Sequence, residues 1–120
     1  MIGKISAVVL DAADIGGLAR FYAAMLGLEI LHEDGEWIDI GPADTRQAVL
    51  SFQHAPDHRP PRWPDPDYPQ QFHLDISVDR DIEEAEKEVL ALGATKLGDG
   101  EGNFRVYADP AGHPFCLCWE

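Results

Sequence analysis

Residues 72–78 read FHLDISV, and the order of side chains in this stretch decides the fold. An extended strand points successive residues to opposite faces, so His73, Asp75 and Ser77 fall on one side and Phe72, Leu74, Ile76 and Val78 on the other. One side suits a core and the other a polar cleft. About 66 residues upstream, SAVVLDAAD leads into a helical pattern just as HLDISVDRD does, and both helical patterns stop at a Leu-Gly pair, Leu26-Gly27 and Leu92-Gly93. The chain therefore reads as one unit used twice.

Working outward, residues 5–10 are apolar and branched, as a strand requires, and Asp14 stands where it would cap a helix. Ile15, Leu18, Tyr22, Met25 and Leu26 recur at spacings of three and four and predict one buried stripe, ended by Gly27. Three strands are expected at 28–32, 36–40 and 47–53. The second half repeats the order: a strand at 72–78, a helix at 81–92 with Ile82, Ala85, Val89 and Leu92 inward, then strands at 94–97, 103–108 and 114–119. Glu83, Glu84, Glu86, Lys87 and Glu88 read as the solvated side of that helix. Residues 55–70 hold six of the nine prolines, which forbids a regular helix or a central strand. This segment is a stiff linker or, alternatively, a lid contributing Arg59, Arg62, Trp63 and Tyr68.

A length of 120 residues fits a single domain, with a first module at 1–54, the linker at 55–70 and a second module at 71–120. Nine Lys and Arg against 22 Asp and Glu give a net charge of -13, which argues against nucleic acid because no basic stripe exists to release counterions. No apolar run approaches the ~20 residues of a membrane span, so no membrane partner is expected and the reading is cytoplasmic. Cys116 and Cys118, two apart in a strand, are poorly placed to bridge and are expected as reduced thiols.

Two strand-helix-strand-strand-strand units in this order resemble the vicinal oxygen chelate superfamily, in its small glyoxalase-like or bleomycin-resistance-like branch. The resemblance rests on Val8-Val9-Leu10 with Asp14, Arg20-Phe21-Tyr22 through Leu26-Gly27-Leu28, His73-Leu74-Asp75, Leu92-Gly93-Ala94, the turn from Asp109 to Pro114, and the ending Phe115-Cys116-Leu117-Cys118. It implies an α+β fold of two βαβββ modules, like that of glyoxalase, bleomycin resistance protein and dihydroxybiphenyl dioxygenase, with a concave cleft for a small molecule. It also implies a homodimer. Enzymes of the superfamily often hold a divalent metal from four strand positions, which correspond here to Ala7, Ser51, His73 and Cys116. Only His73 keeps the usual ligand type, so no metal ligand set and no cofactor are expected, with zinc or another soft ion on the thiols as the exception.

The candidate ligand-binding residues are Trp37, Asp39, Ser51, Gln53, His73, Asp75 and Cys116, each a polar or aromatic handle on a strand face. His73, with a carboxylate on the same face, is the candidate catalytic acid or base. Binding of an unidentified small molecule is the first reading. The alternatives are a lyase or isomerase that uses His73 for proton transfer, or a metal-dependent glyoxalase or dioxygenase-type enzyme with a nonstandard site. Arg105 and Tyr107 alternate with Phe104, Val106 and Ala108, and either set could face inward.

Overall fold

The computed structural model describes all residues, 1–120. Its elements run β1 (Val8–Ala12), α1 (Ile15–Leu26), β2 (Glu29–Glu33), β3 (Trp37–Gly41), β4 (Leu50–His54), β5 (Leu74–Ser77), α2 (Ile82–Leu92), β6 (Thr95–Asp99), β7 (Phe104–Ala108) and β8 (Pro114–Cys118). The chain forms two compact units, Met1–His58 and Arg59–Glu120. Each holds one helix and one four-stranded sheet, ordered β1-β4-β3-β2 in the first and β5-β8-β7-β6 in the second. The expected pair of βαβββ modules in an α+β fold is what the chain adopts.

The repeat extends to hydrogen-bond register. β1 runs parallel to β4 and β5 parallel to β8, while the remaining pairs are antiparallel. The outer pairs are interrupted alike, between Ile30 and His32 in β2 and between Lys96 and Gly98 in β6, again about 66 residues apart. Such bulges twist an exposed edge and blunt it against pairing with other chains.

In the first unit α1 lies on its sheet, against all four strands. Asp14 caps it by accepting a hydrogen bond from the Gly17 amide at 3.0 Å, and Gly27 ends it at φ 67°, a left-handed conformation that costs glycine little. Its buried residues are Ile15, Leu18, Ala19, Phe21 and Tyr22, whereas Met25 and Leu26, expected in the buried stripe, are only half-buried near the helix end. Phe21 meets Tyr22 edge to face at 5.0 Å, and Tyr22 stacks on Phe52 of β4 at 6.0 Å, so Phe21 is held inside by an aromatic contact that periodicity does not reveal. Leu10, Ile38, Ile40, Leu50 and Phe52 complete this core.

In the second unit the core is made by Tyr107, Phe115 and Leu117 with Ala85 and Val89 of α2, and Tyr107 stacks on Phe115 at 5.5 Å, while Val106 is buried on the opposite face beside Cys116. Leu92, expected inward, is 42% exposed at the last position of α2. The solvated reading of residues 83–88 needs correction at one position. The Glu86 side chain is only 13% exposed, because Arg105 reaches it from β7 and Lys96 from β6 at 3.0 Å. Arg105 also pairs with Glu83 at 2.6 Å, which places Arg105 and Tyr107 on the α2 side of their strand. Residues 55–70 form turns without helix or strand, and within them the Arg62 guanidinium sits 4.3 Å from the Tyr68 ring centre.

Candidate functional site

Alternation along each strand separates a helix-facing side from an open side, and the six candidate residues that lie in strands fall on open sides. In the first unit Asp39 stands opposite Ser51 and Trp37 opposite Gln53 in the antiparallel β3–β4 pair. The Trp37 indole Nε1 donates to Asp39 Oδ1 at 2.7 Å, and the Ser51 hydroxyl donates to the same oxygen at 2.6 Å. Ser51 is 1% exposed, so Asp39 is the acceptor that makes its burial tolerable. Gln53 stays exposed. This cluster orients Trp37 and closes on itself.

In the second unit β5 begins at Leu74, later than the expected 72–78, so His73 lies just before the strand and meets Asp75 of β5, which the parallel register sets directly beside Cys116 of β8. His73 Nε2 lies 3.3 Å from Asp75 Oδ1, with both side chains largely open to solvent, while Cys116 is buried. One ligand atom from each of these three residues lies within 4.8 Å of the others. Burial first, and then the Asp75 carboxylate, push the Cys116 thiol up to about 11, so at neutral pH it is a protonated thiol and a weak nucleophile. Cys118, two residues on, is also raised by burial and by Asp75. Neither cysteine forms a disulfide.

The same face continues through Ser77 and Cys118, which are paired in register, into a groove of about 630 Å³. Val78, Asp79, Arg80, Trp119 and Glu120 complete its walls. Arg80 is anchored there by Glu88 of α2 at 2.7 Å. None of Val78, Asp79, Arg80 and Trp119 was singled out as a site residue from sequence. Ser77 and Cys118 continue the His73-Asp75-Ser77 alternation, but Trp119 falls on the other side with Leu117, its ring centre 5.8 Å from the Arg105 guanidinium, so the groove lies at the strand ends and alternation along the open face does not predict that wall.

The four positions at which the resemblance implies a divalent metal, Ala7, Ser51, His73 and Cys116, do not offer four donors here. Ala7 has no donor atom, and the Ser51 hydroxyl is buried against Asp39. A hard, oxygen-rich coordination sphere cannot be assembled from a methyl group, an engaged hydroxyl, one imidazole and one thiol.

A sequence search of curated proteins returned no significant match. Solved structures with the same fold include a glyoxalase/bleomycin resistance protein/dioxygenase family enzyme from Burkholderia phytofirmans, 16% identical over 98% of each chain with a TM-score of 0.74. A glyoxalase-related enzyme from Fulvimarina pelagi is 18% identical over 99% of this chain and 89% of its own, with a TM-score of 0.71. The fosfomycin resistance protein FosX from Listeria monocytogenes is 16% identical over 100% of this chain and 93% of its own, also at 0.71. The profile of the Glyoxalase-like domain matches residues 7–118, and the chain belongs to that family.

Proposed function

We propose that this protein binds a small molecule on the open face of its second unit, without the hard divalent metal that related enzymes use. The observation that carries the reading is the groove of about 630 Å³ running from Ser77 and Cys118 to Trp119. Its size falls within the range of small-molecule sites, and it combines an aromatic wall with a few polar handles, as such sites do. His73, Asp75 and Cys116 extend the same face and supply hydrogen-bonding and thiol groups. Trp37, Asp39, Ser51 and Gln53 form the corresponding surface of the first unit, where Trp37 is the ring held in place for contact with a ligand. A FosX structure contains Mn(II) and a dihydroxypropylphosphonic acid, whereas here Ala7 has no donor atom and the Ser51 hydroxyl is engaged by Asp39, which speaks against a manganese site at these positions. The net charge of -13 favours a neutral or cationic ligand over a phosphonate.

A second reading is supported by the 3.3 Å pair of His73 and Asp75. A carboxylate that orients an imidazole is the arrangement of a general base, and His73 would then move a proton on the bound molecule as a lyase or isomerase requires. The reading is completed by a homodimer in the cytoplasm, consistent with free thiols at Cys116 and Cys118.

A ligand screen by thermal shift, with product analysis of every hit, tests both readings. Binding alone predicts unaltered ligands and a modest loss of affinity in His73→Ala. Proton transfer by His73 predicts product, and a fall in turnover of about 10²-fold or more in His73→Ala with binding retained. A screen in which every hit binds equally well after Trp119→Ala overturns the assignment of the groove. Light scattering at micromolar concentration checks the dimer, and a monomer would remove it.

A further inference from the structure

We infer that the groove at Ser77 and Cys118 takes an organic cation, a protonated amine carried on a flat aromatic body, which rests on the groove being the binding site proposed above. Three charged side chains line it, Asp79, Arg80 and Glu120. Arg80 is already engaged, its Nη1 donating to both carboxylate oxygens of Glu88 at 2.8 and 2.7 Å. Asp79 and Glu120 are exposed and have no ion-pair partner. The walls therefore hold two uncompensated negative charges and no free positive one. An ammonium group would answer both, whereas a phosphonate or carboxylate would meet like charge.

Acidity alone does not make such a site, as a second hollow in this unit shows. That hollow, about 300 Å³ on the α2 side, is lined by Glu83, Glu86 and Asp99. There every carboxylate already has a cation, with Arg105 at 2.6 Å from Glu83 and 2.5 Å from Glu86, and Lys96 at 2.9 Å from Asp99. In the groove the acids are left over. Asp75 adds to them from the adjoining face. Burial first, and then Asp75, raise the Cys118 thiol, so the field of that carboxylate reaches the groove lining while the thiol itself stays neutral.

The apolar part of the lining fits the rest of the ligand. Trp119 is the aromatic side chain best suited to a cation, and Val78 stands beside the same groove. Trp119 is held in place before any ligand arrives. Its amide donates to the Asn103 carbonyl at 3.0 Å, and its ring centre lies 5.8 Å from the Arg105 guanidinium. That guanidinium is balanced by Glu83 and Glu86, so it does not oppose a second cation near the ring. A wall fixed in advance costs little ordering when a ligand binds. The volume of about 630 Å³ admits a fused-ring body with its ammonium group at the acidic rim.

The test titrates the full chain at neutral pH with three probes that share one ring system: naphthylmethylammonium, naphthylmethanol and naphthoate. Binding is followed by the indole N–H resonance of Trp119, told apart from those of Trp37 and Trp63 with Trp37→Phe and Trp63→Phe. The ammonium should shift Trp119 and bind about tenfold more tightly than the alcohol, with naphthoate the weakest. Asp79→Asn with Glu120→Gln should cut the ratio of ammonium to alcohol by about threefold or more, and both side chains are exposed, so the fold is not at stake. Glu84→Gln with Glu101→Gln removes the same charge from exposed positions outside the groove and should leave the ratio unchanged. Alcohol or naphthoate that shifts Trp119 and binds as tightly as the ammonium overturns the inference and leaves the groove standing. A ratio that the groove pair does not change, or that the outside pair cuts equally, overturns it as well. No shift of Trp119 with any of the three probes removes the groove itself, and the inference with it.

Discussion

In the first unit the acid on the open face of the sheet, Asp39, stands on the interior strand β3 opposite Ser51; in the second, the register position opposite Cys116 is Val106, and the acid, Asp75, stands on the edge strand β5. The same sheet plan thus produces two different surfaces. Asp39 accepts from Trp37 on its own strand and from Ser51 on neighbouring β4, and satisfies both. Asp75 has a neighbour on only one side, so it meets solvent, His73 and the Cys116 thiol. An interior strand consumes hydrogen-bonding capacity and makes structure, whereas an edge strand leaves that capacity available for a ligand.

The largest effects should fall in the cores of both units, each of which holds one stacked aromatic pair. Phe52→Ala removes the stacking partner of Tyr22, and Phe115→Ala that of Tyr107. Each is expected to cost about 3–5 kcal/mol in urea unfolding, and a much smaller loss for Phe115→Ala would break the equivalence of the two cores.

The two acids should then separate. Asp39→Ala strands the buried Ser51 hydroxyl and the Trp37 indole, at an expected cost of about 1–3 kcal/mol, while Asp75→Ala should stay within about 0.5 kcal/mol because its side chain is exposed. Equal losses at the two positions would erase the distinction between a structural and an available carboxylate.

Alkaline pH should act through the second unit. Burial first, and then the Glu86 carboxylate, push the Tyr107 phenol up to about 12, above the ordinary value of 10. The folded chain keeps this proton where the unfolded chain has released it. The contribution is therefore fully present below about pH 10 and lost between about pH 10 and 12. Urea midpoints measured across that window should fall, and Tyr107→Phe should flatten the slope. A wild-type slope that Tyr107→Phe does not change would remove Tyr107 from the account.

The smallest contrast lies at the helix starts. Asp14 accepts from the Gly17 amide, whereas Asp81 makes no side-chain cap. Asp14→Ala should cost about 1 kcal/mol, and Asp81→Ala only a few tenths, by the same unfolding measurement.

Much of this was legible in the residues themselves. The alternation of His73, Asp75 and Ser77 against Leu74 and Ile76, the stops at Gly27 and Gly93, and the pairing of Trp37 with Asp39 on one face follow from local geometry, which a single strand or helix enforces without help from the rest of the chain. One misread residue, Glu86, carries a charge that sequence places in water by default, and another, Leu92, sits exposed at the end of its helix. The i,i+3 relation of Glu86 to Glu83 beside the alternating Arg105 was the one clue that a cation would reach it.

What the sequence by itself determined is which side chains share a face: two βαβββ modules, a buried set and an open set in each. Periodicity along one element is a property of the backbone, so it survives any arrangement of the others. Only the tertiary structure decided which strand lies beside which and in what register. That pairing placed Ser51 against Asp39, turned Arg105 and Tyr107 toward α2, and brought Cys116 to Asp75 across a parallel ladder formed by segments about 40 residues apart. Contacts of that separation depend on how the chain returns, and no local rule carries the information.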